Sequence, residues 1–159
     1  MRLTVQTDYA LRTLMLLSVS EGPRTTSDVA HHYHISQNHL MKVIQRLVAG
    51  GFVKTTRGRG GGLQLALPPR EINIGAVVRA IEDFDHFVEC FDLATNRCAA
   101  IRACGLKGIL AGGIAALLAH LDRHTLEDLV PYPDKLSNAL GMNDNATPAF
   151  SIAANTAKI

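Results

Sequence analysis

The chain has 159 residues, of which 47% are hydrophobic and 19% charged, and its formal net charge at pH 7 is +2. This length predicts one domain, with room for an appended arm or tail. No stretch approaches the roughly 18 uninterrupted apolar residues of a membrane span. Asp8 and Arg12 interrupt the apolar run near the N-terminus, and no A-x-A motif follows it, which argues against a signal peptide. We therefore expect a cytoplasmic protein with no membrane partner.

The charge is unevenly distributed along the chain. Residues 24–70 carry seven basic side chains against one acidic side chain, Asp28, which gives a net charge of +6. Residues 71–159 carry seven basic against eleven acidic side chains, which gives −4. A basic segment within a nearly neutral chain indicates a surface that faces a polyanion.

Three helices are predicted in the N-terminal part. Thr7 is a plausible N-cap for a first helix over residues 8–20, where apolar residues recur at core spacing. A short helix at 27–33, a turn at His34–Ile35 and a longer helix at 37–49 follow it. A short helix, a tight turn and a longer helix are typical of a helix-turn-helix motif.

The longer helix is the predicted recognition helix. Ser36 provides its N-cap, and two glycines after residue 49 provide its C-terminal stop. Such a helix fits the major groove, where Gln and Asn pair with adenine and Lys reaches guanine or phosphate. The predicted DNA contacts of this region are Ser36, Gln37, Asn38, His39 and Lys42.

A two-stranded wing is predicted next. The alternating segments FVKTT and LQLAL flank the glycine-rich sequence RGRGGG. Arg57 and Arg59 at its tip suit a minor groove or phosphates, and we expect further DNA contacts from Gly60 and Arg2. The tip is not a nucleotide loop, because no Lys-Ser/Thr follows it and Leu63 occupies the place of the third glycine of the dinucleotide fingerprint.

The second half of the chain contains two further predicted helices. Asn73 can cap a helix over about 74–83. Farther on, apolar residues recur at steps of 4, 4, 3 and 4. They are Leu106, Leu110, Ile114, Leu117 and Leu121. This stripe favours a long helix that packs on a second copy of the chain, rather than an ordinary core helix. Residues from about 141 onward lack periodicity and are predicted to be disordered.

All three cysteines of the chain lie close together, in the pattern Cys90-x7-Cys98-x5-Cys104. The C-x-x-C pairs of a zinc ribbon or a thioredoxin-like site are missing, and an odd number would leave one thiol outside a disulfide framework. Thiolates at these spacings can converge on one soft metal centre. The alternatives are a structural zinc with His86 as a fourth ligand, an iron–sulfur cluster, or a thiol switch, and spacing alone does not decide among them.

Enzymatic activity is not expected. The sequence offers no Ser/His/acid arrangement and no paired carboxylates, and its seven histidines are scattered. The competing function classes are a DNA-binding regulator with a metal cluster, an iron–sulfur electron carrier or enzyme subunit, and a zinc-stabilised or cluster-free DNA-binding regulator.

Several motifs occur together over about residues 1–130: LTVQTDYALRTL, ISQNHLMKVIQRLVAGGFVKTTRGRGGGLQLALPP, INIGAVVRAIE, the three cysteines and HTLEDLV. This combination resembles the NsrR family of nitric-oxide-sensing winged-helix repressors. That family is a branch of the Rrf-two superfamily, which also includes IscR. Lys107 stands where the IscR-like branch has a histidine, three places after the third cysteine, and this argues against IscR-type ligation.

The resemblance implies a homodimeric repressor that binds double-stranded operator DNA and releases it when nitric oxide attacks an iron–sulfur cluster. It implies a [4Fe–4S] rather than a [2Fe–2S] cluster, with Cys90, Cys98 and Cys104 as thiolate ligands. Asp8 is implied as an oxygen ligand donated by the other subunit. Genes for nitric-oxide detoxification are the implied targets.

The expected fold is mainly α-helical with a small β wing. It combines a winged helix-turn-helix domain with a long dimerisation helix. The expected parts are a DNA-binding domain at 1–83, a cluster loop at 84–105, a dimerisation region at 106–130 and a flexible tail at 131–159.

Overall fold

The computed structural model of the protein describes residues 3–92 and 94–142. Within them, the regular structure is helical apart from one two-stranded antiparallel sheet, as the sequence predicts. The elements are α1 (Val5–Ser18), α2 (Thr26–Tyr33), α3 (Gln37–Ala49), β1 (Val53–Thr56), β2 (Gly62–Leu65), a 3₁₀ turn (Pro69–Glu71), α4 (Ile74–Ile81), α5 (Leu106–Leu121), α6 (Leu126–Leu129) and α7 (Pro133–Ala139). None of the helices in these ranges is long and apolar enough to cross a membrane.

The core forms where α1 to α4 pack together. On α3 the fully or nearly fully buried side chains are Leu40, Val43, Ile44 and Leu47. They recur at steps of three and four and therefore share one face of the helix. This face packs on α1, α2 and α4, so the opposite, polar face of α3 is left in solvent.

Helix α1 begins earlier than the sequence predicts. Its N-cap is Thr4, whose hydroxyl accepts a hydrogen bond from the Thr7 amide. Thr7, the predicted cap, is fully buried and donates its hydroxyl proton to Glu82 Oε1 at 2.6 Å. The Thr4 amide donates to the same oxygen at 2.7 Å. The prediction of Thr7 as the cap was wrong because a carboxylate distant in sequence engages its side chain.

The helix-turn-helix is confirmed, with α2 starting one residue before its predicted position. His34 ends α2 in the left-handed conformation, at φ 53°, and so makes the turn. The Thr25 hydroxyl and the Asp28 carboxylate form a reciprocal capping box at the start of α2. The Thr25 amide that donates to Asp28 lowers the pKa of this carboxyl below its usual range.

We expect Asp28→Ala to lower the free energy of unfolding by about 1 kcal/mol at pH 7, because it removes half of the capping box. The lowered pKa means that this stabilisation is present above the usual aspartate range and is lost as the pH falls through the folded-state value. The difference between wild type and mutant should therefore shrink toward pH 3. Urea unfolding at both pH values measures it. Glu21→Ala, at an exposed acid outside any helix, is the control. An equal difference at both pH values would contradict the assignment.

The predicted wing is confirmed as β1 and β2, paired from Val53 opposite Leu65 to Thr56 opposite Gly62. Gly58 and Gly60 at its tip have φ angles of +101° and +77°. L-residues with side chains rarely adopt these angles, so the tight tip depends on glycine. The hairpin therefore holds its tip as a projecting loop.

The second half of the described chain is fastened to α4. Asn73 caps α4 as predicted, accepting a hydrogen bond from the Ala76 amide. Arg79 on α4 donates to both carboxylate oxygens of Asp122, at 2.7 and 2.6 Å, just after α5. This pairing lowers the pKa of Asp122. A Cβ on Gly75 would clash with the same carboxylate, so glycine allows α4 and the end of α5 to approach closely.

The segment predicted as a flexible tail from residue 131 starts as a helix. Pro133 stands in the first turn of α7, where its missing amide hydrogen is harmless. Leu140 and Met142 pack against the core, and the Leu140 carbonyl lies 2.7 Å from His32 Nδ1 on α2. The prediction was wrong for residues 133–142 because it considered periodicity alone. Residues 143–159 lie outside the described ranges.

Candidate DNA interface and metal centre

The N-terminal end of α3 faces solvent. Every predicted DNA contact in this region is exposed: Ser36, Gln37, Asn38, His39 and Lys42. The Ser36 side chain makes no cap hydrogen bond to α3. The first amides of α3 and a set of polar side chains are therefore presented together at one end of the helix, the arrangement that a major groove accepts.

The wing tip presents a second basic surface. Arg57, Arg59 and Gly60 are exposed, and in the described part of the chain neither arginine forms an ion pair. Their charge is therefore available to phosphates. Arg2, the remaining predicted contact, lies outside the described residues.

Two arginines of the basic segment make hydrogen bonds within the protein. Arg46 on α3 is exposed and donates from Nη1 to the Ile81 carbonyl at 2.5 Å. Arg24 donates to Ser20. Arg46 therefore links the recognition helix to the end of α4.

The loop between α4 and α5 carries the three cysteines as free thiols. Cys90 is half-buried, whereas Cys98 and Cys104 are exposed. The Leu106 amide donates to Cys104 Sγ at 3.4 Å. Three thiols in one loop, with an amide directed at one sulfur, have the donor chemistry that suits an iron–sulfur cluster.

These donors are not assembled into a coordination sphere. Among residues 3–92 and 94–142, no three Cys, His, Asp or Glu side chains converge as a metal site. Metal ligands commonly take their final positions only when the metal binds. The donor types fit a cluster, and their convergence stays a prediction.

His86, the proposed zinc ligand, is occupied by carboxylates. Its Nδ1 lies 2.7 Å from Asp83 Oδ2, and its Nε2 lies 3.7 Å from Asp92 Oδ2. The hydrogen bond with His86 lowers the pKa of Asp83. These contacts join residues of the same loop to one another. Within the described ranges, His86 belongs to no group of three possible metal ligands.

Asp8, the predicted oxygen ligand, lies in the first turn of α1 and is exposed. It forms an ion pair with Arg12 at 2.9 Å, one turn farther along the helix. The Arg12 guanidinium also lies 5.8 Å from the centre of the Tyr33 ring on α2. In residues 3–92 and 94–142 Asp8 belongs to no three-ligand group with the cysteines of its own chain. Through Arg12 it lies at an edge that contacts the helix-turn-helix.

The apolar face that α5 leaves uncovered differs from the predicted stripe. Ile114 is buried, and Leu118 and Leu121 pack against the core of the same chain. The exposed face carries Ile109, which is 73% exposed, and Leu106, which is 50% exposed. The small residues Gly112, Gly113 and Ala116 follow Ile109 three, four and seven positions later, on the same face, and are exposed as well. Two of the five residues of the predicted stripe, Ile114 and Leu121, are thus turned toward the same chain, whereas Leu106 belongs to the exposed face. Packing of this helix on a second copy stays a prediction.

The cysteine loop starts at a junction of three helices. Ile81 accepts from Arg46 of α3, and Glu82 accepts from Thr4 and Thr7 of α1. We did not single out Arg46 or Glu82 as functional from the sequence, because both contacts join residues more than thirty positions apart. A shift in the loop would act directly on both helices.

Comparison with known proteins places the chain in a family. Residues 3–132 match the family described as "Rrf2: Iron-dependent Transcriptional regulator". The chain belongs to the Rrf2 family. An "HTH-type transcriptional regulator NsrR" from Bacillus subtilis (strain 168) is 48% identical to it over 147 residues, which are 91% of this chain and all of that protein. A second NsrR, from Shouchella clausii (strain KSM-K16), is 46% identical over 138 residues, 86% of this chain and 93% of that protein.

Solved structures of similar proteins agree on the Rrf2 fold. The structure titled "T. potens IscR" matches with a TM-score of 0.64 at 24% identity, over 82% of this chain and 87% of that one. CymR, the "Global Cysteine Regulator of B. subtilis", matches with a TM-score of 0.63 at 24% identity, over 83% and 98%. These neighbours support the fold, and the relatives described above show a DNA-binding transcriptional regulator rather than an enzyme.

Proposed function

We propose that the protein is a homodimeric repressor that binds double-stranded operator DNA while Cys90, Cys98 and Cys104 hold an iron–sulfur cluster, and that nitric oxide ends repression. A [4Fe–4S] cluster is favoured over [2Fe–2S]. The observation that carries the proposal is the position of the thiol loop, which begins where α4 is hydrogen-bonded to both α1 and α3. A regulator of this kind meets its operator in the cytoplasm.

The loop junction supplies the mechanism on the protein side. Cys90, Cys98 and Cys104 would hold the cluster, which would supply iron that reacts with nitric oxide. Tethered thiolates fix the course of the loop and hold Glu82 against the N-terminus of α1. They also hold Ile81 against Arg46 of the recognition helix. When the thiolates are free, this restraint is absent. The two recognition helices of a dimer then lose the fixed spacing that an operator requires.

The uncovered face of α5 supports the dimer. Ile109 and Leu106 expose apolar surface, and the two glycines and the alanine that follow them on this face allow the backbones of two helices to approach closely. A second copy with the same face would bury this surface in a twofold, self-complementary contact. Two recognition helices would then be available for two half-sites of an operator.

Two related alternatives concern the signal and the metal. The description "Iron-dependent Transcriptional regulator" leaves room for a regulator that senses iron or redox state on the same loop. A zinc-stabilised or cluster-free regulator would use the same DNA surface. Anaerobic purification discriminates the metal, because an iron–sulfur protein is brown and contains iron and sulfide, whereas a zinc protein is colourless.

The proposal is tested by comparing holo-protein and apo-protein on one DNA. A duplex is first selected from a randomised pool by the anaerobic holo-protein, and its dissociation constant is then measured with both forms. We expect tight binding by the holo-protein and binding near the non-specific level by the apo-protein. Equal affinities would overturn control by the cluster while leaving DNA binding intact.

Asp8 is proposed as the oxygen ligand, donated across the dimer. A carboxylate on one iron is a harder and weaker ligand than a thiolate, so that iron is open to nitric oxide. We expect a heterodimer of an Asp8→Ala chain and a Cys98→Ala chain to retain one complete site, built from the cysteines of the first and Asp8 of the second. Its cluster should outlast that of the Asp8→Ala homodimer in an anaerobic chelator challenge that follows visible absorbance.

Arg12→Ala is the matched control for Asp8, since it breaks the same ion pair without removing an oxygen donor. The Arg12→Ala protein should keep a cluster of wild-type lifetime. If the crossed heterodimer loses its cluster as fast as the Asp8→Ala homodimer does, donation across the dimer is wrong. Asp8 is then only an acid that stabilises the start of α1.

A further inference from the structure

The recognition helix carries a large apolar side chain on its outer, polar face. Met41 is 49% exposed, although Leu40 and Val43 beside it are fully buried. Apolar area left in water costs free energy in proportion to its extent. A partner that covers Met41 recovers this free energy, so the question is which partner meets that part of α3.

The position of Met41 in α3 determines the direction in which its side chain points. Gln37 and Asn38 lie four and three residues earlier, one turn away on the same face. Side chains of a helix lean toward its N-terminus, so Met41 covers surface beside these two residues. All three are exposed, as is Lys42 next to Met41. Met41 therefore shares the face that carries the proposed base contacts.

The charge around Met41 favours DNA over an apolar protein partner. Lys42 neighbours it on α3, and Lys54, Arg57 and Arg59 of the wing are exposed on the next elements of the chain. Such a basic surface binds a polyanion more favourably than it binds an uncharged, apolar partner. Within the major groove the apolar feature is the C5-methyl group of thymine. The flexible, polarizable thioether of methionine adapts to such a contact.

We propose that Met41 is a specificity-determining residue that packs on the methyl group of one thymine in each operator half-site. The inference rests on the proposed placement of α3 in the major groove and is independent of the cluster and of nitric oxide. It adds an apolar contact to the polar contacts from Gln37, Asn38 and Lys42.

The test removes single methyl groups from DNA. In the duplex selected from a randomised pool by the anaerobic holo-protein, each thymine is replaced in turn by deoxyuridine, which lacks only the methyl group. Dissociation constants are measured by fluorescence anisotropy at one salt concentration for wild type, Met41→Ala and Val48→Ala. Val48 is the matched control, because it is 38% exposed two turns farther along the same face of α3.

We expect one thymine in each half-site to be sensitive to this replacement in wild type, with binding weakened about fourfold for one buried methyl group. The same replacement should have no effect on Met41→Ala and should keep its full effect on Val48→Ala. A methyl effect that persists in Met41→Ala overturns the proposal, as does the lack of any sensitive thymine. If the pool yields no preferred sequence, the proposed placement of α3 in the major groove is wrong, and the role of Met41 is wrong as well. Circular dichroism confirms that each variant is folded.

Discussion

Anaerobically purified Cys90→Ala, Cys98→Ala and Cys104→Ala proteins are each expected to be colourless, with their iron and sulfide lost. The chain offers three thiols, all in one loop, and the described residues contain no convergent set of ligands elsewhere or in the loop that would replace a missing one. A cluster left with two thiolates is exposed to solvent and dissociates. Visible absorbance together with iron and sulfide analysis measures the loss.

The same three variants should remain folded and dimeric. Cys98 and Cys104 are exposed and Cys90 is only half-buried, so none of them belongs to the core. Arg102→Ala, an exposed change in the same loop, is the control and should stay brown. A cysteine variant that kept a full cluster would show that this cysteine is not a ligand. Loss of dimers in all three variants would mean that the cluster, rather than α5, holds the subunits together.

A double change of Arg57 and Arg59 to alanine is expected to produce the largest loss of DNA affinity. Both side chains are exposed at the wing tip and form no ion pair among the described residues. Each phosphate contact that is lost reduces the slope of log affinity against log salt by about 0.9. Two contacts in each of two subunits therefore predict a slope that is flatter by about 3.6. Anisotropy titrations at several salt concentrations measure it.

Arg123→Ala is the control for this charge effect, because it removes an exposed positive charge just after α5 and outside the basic segment. It should leave both affinity and slope close to those of wild type. A slope that the double wing variant leaves unchanged would show that the wing is not part of the DNA interface.

Changes at Gln37 or Asn38 should instead relax sequence preference, by about 1–3 kcal/mol if the contact is bidentate.

The DNA-binding half was predictable because its signals are local. The turn at His34–Ile35, the apolar spacing on α3 and the glycine-rich wing tip each depend on residues within one or two turns of one another. Such features follow from propensity and periodicity alone. The helix-turn-helix and wing therefore appear in the structure within a few residues of their predicted bounds.

The features that the sequence did not predict depend on distant partners. Thr7 lies inside α1 instead of capping it, and its hydroxyl donates to Glu82, about 75 residues away. Which face of α5 is covered depends on its contact with α4, where Gly75 leaves room for Asp122. No local pattern contains either partner.

For the candidate metal centre the sequence proposes donor residues but not their geometry. Three cysteines in one loop are recognisable as possible metal ligands from their residue type alone. Their convergence, however, depends on the metal that they would hold. The proposed donation of Asp8 by the other subunit depends on a second chain. Both therefore stay predictions that experiment on the holo-protein decides.

The most direct test of nitric-oxide control follows cluster and DNA in one cuvette. Anaerobic holo-protein bound to its selected, fluorescent duplex is titrated with nitric oxide, while cluster absorbance and DNA anisotropy are recorded together. We predict that the duplex is released in parallel with the loss of the cluster absorbance, while the protein stays folded. Duplex that stays fully bound after the cluster absorbance has gone would contradict the account.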